Sequence, residues 1–143
     1  YMASRTMIQD WGPERGGQSF RTRQWLDAGL QVGVGTDWTL MPPNPFEVMY
    51  FLVTRKNRFG EPVGVEQKIS RQEALRLATV GNAYITFEEN TKGSIETGKL
   101  ADFVVLDRDY LTVPDEDIKK ITAEQTVVGG QVVYVKEHTP SSQ

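Results

Sequence analysis

Residues 93–107 read GSIETGKLADFVVLD and combine glycine-containing turns with one apolar run. Residues 92–95 and 98–99 are typical of turns, because glycine adopts the backbone angles that tight turns need. Residues 101–106 then carry β-branched and aromatic side chains, which favour a strand. The stretch therefore predicts a turn-rich entry into a β-strand.

The sequence after this strand predicts a hairpin. Gly129-Gly130 separates two apolar runs at 126–128 and 131–135, and a two-residue glycine linker between such runs is a hairpin signal. A short helical turn is expected at 115–120. The chain beyond residue 90 is therefore predicted to be rich in β-structure.

The first part of the chain has weaker signals. Polar residues and the breaker Gly12-Pro13 indicate that residues 1–22 are mostly loop. Residues 23–28 favour a short helix with Gly29 at its C-cap. The apolar run at 30–34 follows this helix, and a short run in that position suits a buried parallel strand.

Three further helices are predicted before residue 90. Asn44-Pro45 supplies an N-cap and a proline at the first helical position, and the apolar residues that follow predict a largely buried helix. Residues 70–73 form a capping box that opens the next helix, which Gly81 is expected to end. Asn82 is expected to cap a last short helix that reaches about Phe87.

Length and composition exclude several classes of protein. The chain has 143 residues, a net charge of -3 and no cysteine, which suits one domain or a little more. The lack of a basic stripe argues against nucleic acid as a partner, and the lack of a long apolar run argues against a membrane span. No signal peptide is visible, so a cytoplasmic location is expected.

Asp37 is the strongest candidate for a catalytic residue. It follows the predicted strand at 30–34, in a loop bordered by Gly35 and Trp38. In α/β barrels the strand ends face the active site, and carboxylates there act as bases or metal ligands. The residues alone favour a simpler interpretation, in which the aspartate stabilises its own turn.

Other sites are poorly supported by the residues. His138 is the single histidine of the chain and lies in its polar tail, whereas a catalytic zinc needs about three protein ligands. Asp107 and Asp109 resemble the start of a calcium loop, but Leu111 and a missing glycine exclude that interpretation. Gly33-Val34-Gly35 lacks the third glycine of a dinucleotide-binding motif.

Several stretches together resemble the amidohydrolase superfamily. Residues 93–107 resemble the returning strand near the C-terminus of these enzymes, and residues 73–79 resemble the helix that usually precedes it. Residues 126–134 resemble the closing hairpin of the family. Upstream, residues 35–37 and 44–46 resemble the loop after the eighth barrel strand.

Gly12-Pro13-Glu14-Arg15 also fits one branch of that superfamily, which contains N-substituted formamide deformylases and exoenzyme-regulator-like proteins. The resemblance implies an α/β fold: the last part of a (β/α)8 TIM-type barrel, followed by the C-terminal strands of a small composite β-sandwich. On this division residues 1–89 belong to the barrel, residues 90–135 to the sandwich and residues 136–143 to a disordered tail.

The resemblance also implies a chemistry. Family members use one or two metal ions, here expected to be zinc, to hydrolyse the C–N bond of a small amide or cyclic amide by activating water. Asp37 would accept a proton from that water and could touch the metal, and Trp38 and Asn44 would belong to the substrate loop. The histidine ligands of the family should lie upstream of this chain, so the chain alone is expected to bind no metal and to be inert.

Three interpretations remain open at this stage. Because the chain begins with Tyr1, it could be a fragment, a processed product or an engineered piece of a longer hydrolase. It could instead be a non-catalytic assembly or binding module that needs a partner chain, or a free-standing α+β domain. As an isolated fragment it is expected to self-associate or to require the missing N-terminal part. The sequence does not identify the substrate.

Overall fold

The computed structural model describes residues 1–39 and 43–137. The helices are α1 (Ser4–Gly17), α2 (Thr22–Asp27), α3 (Pro45–Thr54), α4 (Arg71–Arg76) and α5 (Asn82–Ile85), with a π-helical turn at Leu77–Gly81 and 3₁₀ helices at Val65–Gln67 and Asp115–Lys120. The strands are β1 (Phe103–Leu106), β2 (Ala123–Val128) and β3 (Gln131–Val135). His138 and the predicted disordered tail beyond residue 137 lie outside the described residues. In the described part of the chain, no helix is long and apolar enough to cross a membrane.

The prediction of loop for most of residues 1–22 is wrong, because α1 occupies Ser4–Gly17. Gly12 interrupts this helix with a φ of 79°, and Pro13 begins the second helical segment, where proline is tolerated. The breakers therefore produce a kink, while the surrounding Arg, Gln, Met and Glu residues favour helix on both sides. The short helix predicted at 23–28 is confirmed as α2.

The predicted caps of α3 and α4 are confirmed. The Phe46 amide donates to Asn44 Oδ1 over 3.0 Å, with Pro45 in the first turn. Ser70 and Glu73 form both hydrogen bonds of the capping box at the start of α4. These local signals fix where each helix begins, and α3 is largely buried as predicted.

The predicted end of α4 at Gly81 is wrong. The chain continues through the π-helical turn directly into α5, and Gly81 keeps a helical φ of -61°. Asn82 lies inside this continuous helix and its side chain caps nothing. The last helix ends at Ile85 and not near Phe87.

In the part of the chain that the structure describes, the sheet has three strands in the order β1-β2-β3, all antiparallel. The predicted Gly129-Gly130 hairpin is confirmed between β2 and β3. β1 is shorter than predicted because Ala101 and Asp102 hold the hairpin turn: the Gly130 amide donates to Ala101 O over 3.0 Å, and the Gly129 amide donates to Asp102 Oδ1 over 2.7 Å. β2 begins earlier than predicted, at Ala123, because as the central strand it is paired on both sides.

The predicted strand at residues 30–34 is not formed in this chain. Residues 30–37 form neither a helix nor a paired strand, and Leu30 is 55% exposed. A strand needs a neighbouring backbone to complete its hydrogen bonds, and the described residues place none beside this segment. Residues 32–34 instead pack against α5 through contacts given below.

The hydrophobic core joins residues from both sides of the predicted boundary between residues 89 and 90. Tyr50 of α3 and Ile118 of the second 3₁₀ helix are both completely buried, and they share one cluster with Tyr110 and Leu77. Tyr110 also donates its hydroxyl to Arg71 O over 3.1 Å. The helical part and the β-rich part are therefore packed on each other, and the division into 1–89 and 90–135 stays a prediction.

The exposed sheet leads to a prediction about association. Every residue of β3 is exposed, with Val133 and Val135 each at 61%. Within residues 1–39 and 43–137, β1 and β3 each have one strand edge that no other strand pairs. By contrast, the apolar face of α3 is largely buried within this chain. We expect the isolated chain to self-associate through the sheet, because open edges and apolar patches recruit other chains.

Sedimentation of the isolated chain at several concentrations measures this directly. A shift to larger species with rising concentration is the expected result. Val133→Lys places a charge on exposed β3 and should reduce the association. Thr97→Lys, at an exposed turn before the sheet, serves as the charge-matched control. A compact monomer at all concentrations would contradict the prediction and favour a free-standing domain.

Candidate active site

A cavity of about 250 Å³ lies between residues 32–37, α2 and α3. Its walls are mainly apolar, and Asp37 contributes the charged group. The lining residues are Tyr1, Met2, Ala3, Phe20, Thr22, Trp25, Val32, Val34, Gly35, Thr36, Asp37, Val48, Phe51 and Leu52. A mainly apolar cavity with one charged group is the usual composition of a small-molecule site.

The Asp37 backbone is in the left-handed region, with a φ of 54°, and Thr39 has a φ of 96°. Aspartate tolerates this region, but a β-branched threonine seldom adopts it. Backbone strain of this kind concentrates at functional sites. The structure therefore places Asp37 in a constrained loop at the edge of the cavity.

The Asp37 side chain is exposed. Within residues 1–39 and 43–137, its carboxylate forms no hydrogen bond or ion pair. An aspartate that stabilises its own turn would accept from a backbone N–H two residues on, and the Thr39 amide forms no such bond. Among the described residues, the Asp37 carboxylate is therefore exposed beside the cavity and is not bonded to the Thr39 amide.

Asn82 holds the segment that leads to Asp37. The Val34 amide donates to Asn82 Oδ1 over 2.8 Å, and Asn82 Nδ2 donates to Val34 O over 2.9 Å and to Ala78 O over 3.3 Å. One side-chain amide thereby satisfies both backbone groups of Val34, as a neighbouring strand would. Sequence reasoning took Asn82 for a helix cap, and no local signal indicates this long-range contact.

The two backbones approach each other closely at this contact. A Cβ atom added to Gly81 would overlap the Val32 carbonyl oxygen, and one added to Gly33 would lie 2.5 Å from Asn82 Oδ1 and 2.6 Å from Ile85 Cδ1. Glycine is required at position 81, because a side chain there would collide with the backbone of Val32, whereas a side chain at position 33 would displace the Asn82 amide and the end of the Ile85 side chain. The pair of glycines fixes residues 32–34 at one distance from the helix.

Arg55 supports the cavity wall from behind and was also missed by sequence reasoning. Arg55 is completely buried, and its guanidinium donates to three carbonyl oxygens: Ser19 O (2.9 Å), Phe20 O (3.1 Å) and Val63 O (2.8 Å). Its Cζ lies 4.4 Å from the centre of the Phe51 ring. Burial lowers the pKa of Arg55 to about 10, and the more distant Glu66 opposes this shift. The side chain orders Phe20 and Phe51, which both line the cavity.

Trp38 and Asn44 do not line this cavity. Trp38 follows Asp37 and is 65% exposed. Asn44 caps α3, and its Nδ2 donates to Lys119 O over 3.4 Å. The structure gives Asn44 a structural role, and the predicted role of both residues in a substrate loop stays a prediction.

The described residues do not form a metal site by themselves. Among them, no group of three or more His, Asp or Glu side chains lies close enough to hold an ion. Asp107, which resembles a calcium ligand in sequence, accepts from the Thr122 amide over 3.0 Å and from Arg108 over 2.8 Å. The hydrogen bond from Arg108 is the larger cause that lowers the pKa of Asp107, and the bond from the Thr122 amide is the next. This carboxylate is therefore engaged in the fold.

Comparison with known proteins identifies the family. Residues 2–134 match the model of the amidohydrolase family. The chain is 32% identical over 115 residues to the N-substituted formamide deformylase of Arthrobacter pascens. The aligned region covers 80% of this chain and 21% of the relative. The chain thus spans about a fifth of the length of this curated relative.

Solved structures agree with this assignment. Atrazine chlorohydrolase TrzN from Arthrobacter aurescens TC1, complexed with zinc, matches with a TM-score of 0.60 and 27% identity, over 85% of this chain and 29% of that chain. An uncharacterized metal-dependent hydrolase from Pyrococcus horikoshii matches with a TM-score of 0.63 and 25% identity, over 79% of this chain and 25% of that chain. The mixture of helices and strands seen here fits the fold of these enzymes, and the chain belongs to the amidohydrolase family.

Proposed function

We propose that this chain is the C-terminal part of a metal-dependent hydrolase that cleaves C–N bonds, and that Asp37 is its proton acceptor. The observation that carries the proposal is the Asp37 carboxylate, which is exposed at an apolar cavity and has no partner among the described residues. A general base must be free to accept a proton. A carboxylate that already accepts hydrogen bonds within the fold is less available for this role.

The bond type is inferred from the family. By its name, the Arthrobacter pascens relative removes formyl groups from N-substituted formamides, and that bond joins carbon to nitrogen. The apolar walls formed by residues such as Trp25, Val48 and Phe51 suit the uncharged part of a small amide. We therefore propose an amide or cyclic amide as the substrate.

The fit of a metal ion is partial. Asp37 offers one carboxylate, which can be a single oxygen ligand or a base, and the described residues supply no complete set of ligands. A divalent ion such as zinc, when bound, makes water a better nucleophile and polarises a carbonyl oxygen. The remaining ligands would come from residues upstream of this chain.

Asp37 would move protons during the reaction. Its carboxylate would accept a proton from the water that attacks the amide carbon, and would deliver it to the nitrogen that leaves. Carboxylates in this role contribute about a hundredfold to ten-thousandfold to the rate. The cavity walls would exclude bulk water, which strengthens the electrostatic interactions within the site.

The finer fold assignment is part of the same proposal. Residues 30–37 would be the end of the eighth barrel strand, and β1–β3 would be C-terminal strands of a composite sandwich. The segment at 30–37 forms neither helix nor turn and ends at Asp37 beside the cavity, which supports this placement. The missing strand pairing would be supplied by the rest of the barrel.

We expect the isolated 143-residue chain to show no hydrolysis of formamides or cyclic amides when zinc is added, because it lacks a complete ligand set among the described residues. A longer protein that includes the upstream residues should be active, and a chelator should abolish that activity. Initial rates of product formation, with and without the chelator, measure both expectations. Turnover by the isolated chain that a chelator removes would contradict the expected inertness.

A further inference from the structure

We infer that Asn82 is the residue that positions Asp37 for proton transfer, an inference that rests on the proposed function. Asn82 is not among the residues that line the cavity at Asp37, but it lines a smaller neighbouring cavity of about 100 Å³ together with Val34 and Gly35. Its side-chain amide is engaged with backbone groups of Val34 and Ala78. It therefore acts through the backbone and not by touching the substrate.

The contact is built to hold a backbone in place. The side chain of Asn82 binds both the N–H and the C=O of Val34, which is three residues before Asp37. Two bonds to the same residue fix the direction of the chain as well as its distance from the helix. Gly81 and Gly33 permit this approach, since a side chain at either position would overlap the other segment.

The helix is also adapted to this contact. Asn82 follows directly on the π-helical turn Leu77–Gly81, and such turns often occur at functional sites because they shift the side chains that follow. Nδ2 is additionally anchored to Ala78 O within the helix. The amide is thus oriented from its own helix before it meets residues 32–34.

Misplacement of Asp37 is expected to lower kcat more than it lowers the affinity for the substrate. A shift of about 1 Å in a reacting group can lower the rate about a hundredfold. Without Asn82, both backbone groups of Val34 lose their hydrogen-bond partner, and the segment that leads to Asp37 keeps the packing of Val32 and Val34 against the core. Apolar packing is not directional, so it does not fix the orientation of the loop as the two hydrogen bonds do. We expect Asn82→Ala to lower kcat about ten- to a hundredfold, with little change in KM or metal content.

A double-mutant cycle in the longer, metal-loaded protein tests this inference. If Asn82 acts through Asp37, Asn82→Ala should cost about ten- to a hundredfold in kcat on the native background but less than about twofold on the Asp37→Asn background. Thr86→Ala is the matched control, because it removes side-chain hydrogen bonds to the helix backbone (Thr86 Oγ1 to Asn82 O, 3.2 Å, and to Ala83 O, 3.1 Å) but leaves the Asn82 side chain and its bonds to Val34 in place. Its kcat should be unchanged.

Amide hydrogen exchange at Val34 supplies a readout that is independent of activity, and it should accelerate in Asn82→Ala but not in Thr86→Ala. If Asn82→Ala does not fold, Asn82→Asp carries the same test, since it keeps the size and the acceptor but loses the donor to Val34 O. If the Asn82 variants keep full kcat while Asp37→Asn loses it, the positioning role of Asn82 is overturned and the proposed function stands. Full kcat in Asp37→Asn overturns the proposed function and the positioning role with it.

Discussion

Asp37→Asn should lower kcat of the longer, metal-loaded enzyme about a hundredfold to ten-thousandfold, while the protein stays folded. Asparagine has nearly the same size as aspartate and also tolerates the left-handed backbone that Asp37 adopts, with a φ of 54°. It cannot accept a proton. The substitution therefore removes the basic group and leaves the loop geometry in place.

Two further variants separate chemistry from folding. Asp10→Asn makes the same chemical change at an exposed position of α1, away from the cavity, and should keep full activity. Asp37→Glu retains a carboxylate but moves it, and its kcat should fall between those of the native enzyme and Asp37→Asn. Initial rates, circular dichroism and metal content of each variant are the measurements. An active Asp37→Asn with its full metal content would show that Asp37 is not the base.

The elements that sequence alone predicted correctly are those with local signals. Asn44-Pro45, the Ser70–Glu73 capping box and Gly129-Gly130 each act through hydrogen bonds or backbone angles within a few residues. Such contacts form in the same way whatever the rest of the fold does. The beginnings of α3 and α4 and the hairpin could therefore be placed without a structure.

The errors arose where distant residues decide the local structure. The glycine at position 81 is typical of a helix end, yet it is kept helical and serves as a contact surface for Val32. Residues 30–34 have the composition of a strand, but pairing depends on a neighbour that the described residues lack. In the candidate site, Asp37 could be proposed from its place in the sequence, whereas Asn82 and Arg55 act over long range and could not.

Ile118→Ala should lower the free energy of unfolding by about 2–5 kcal/mol, the usual cost of truncating a fully buried isoleucine. Ile118 is completely buried in the core cluster that includes Tyr50 of α3 and Tyr110. Removal of its outer carbon atoms would leave a cavity between α3 and the 3₁₀ helix at Asp115–Lys120. Ile118→Val removes one carbon atom from the same place and should cost about 0.5–1.5 kcal/mol.

The regional pattern of destabilisation is as informative as its size. Because one core joins α3 to the segment between β1 and β2, loosening it should destabilise both parts together. Amide exchange of Leu52 in α3 and of Val127 in β2 should therefore accelerate by similar factors in Ile118→Ala, and by smaller but again similar factors in Ile118→Val. Acceleration confined to β2 would contradict a shared core and would instead support separate units on either side of the predicted boundary between residues 89 and 90. If both regions respond together, the C-terminal strands stabilise the same helical layer that carries Asn82 and, through it, the approach to Asp37.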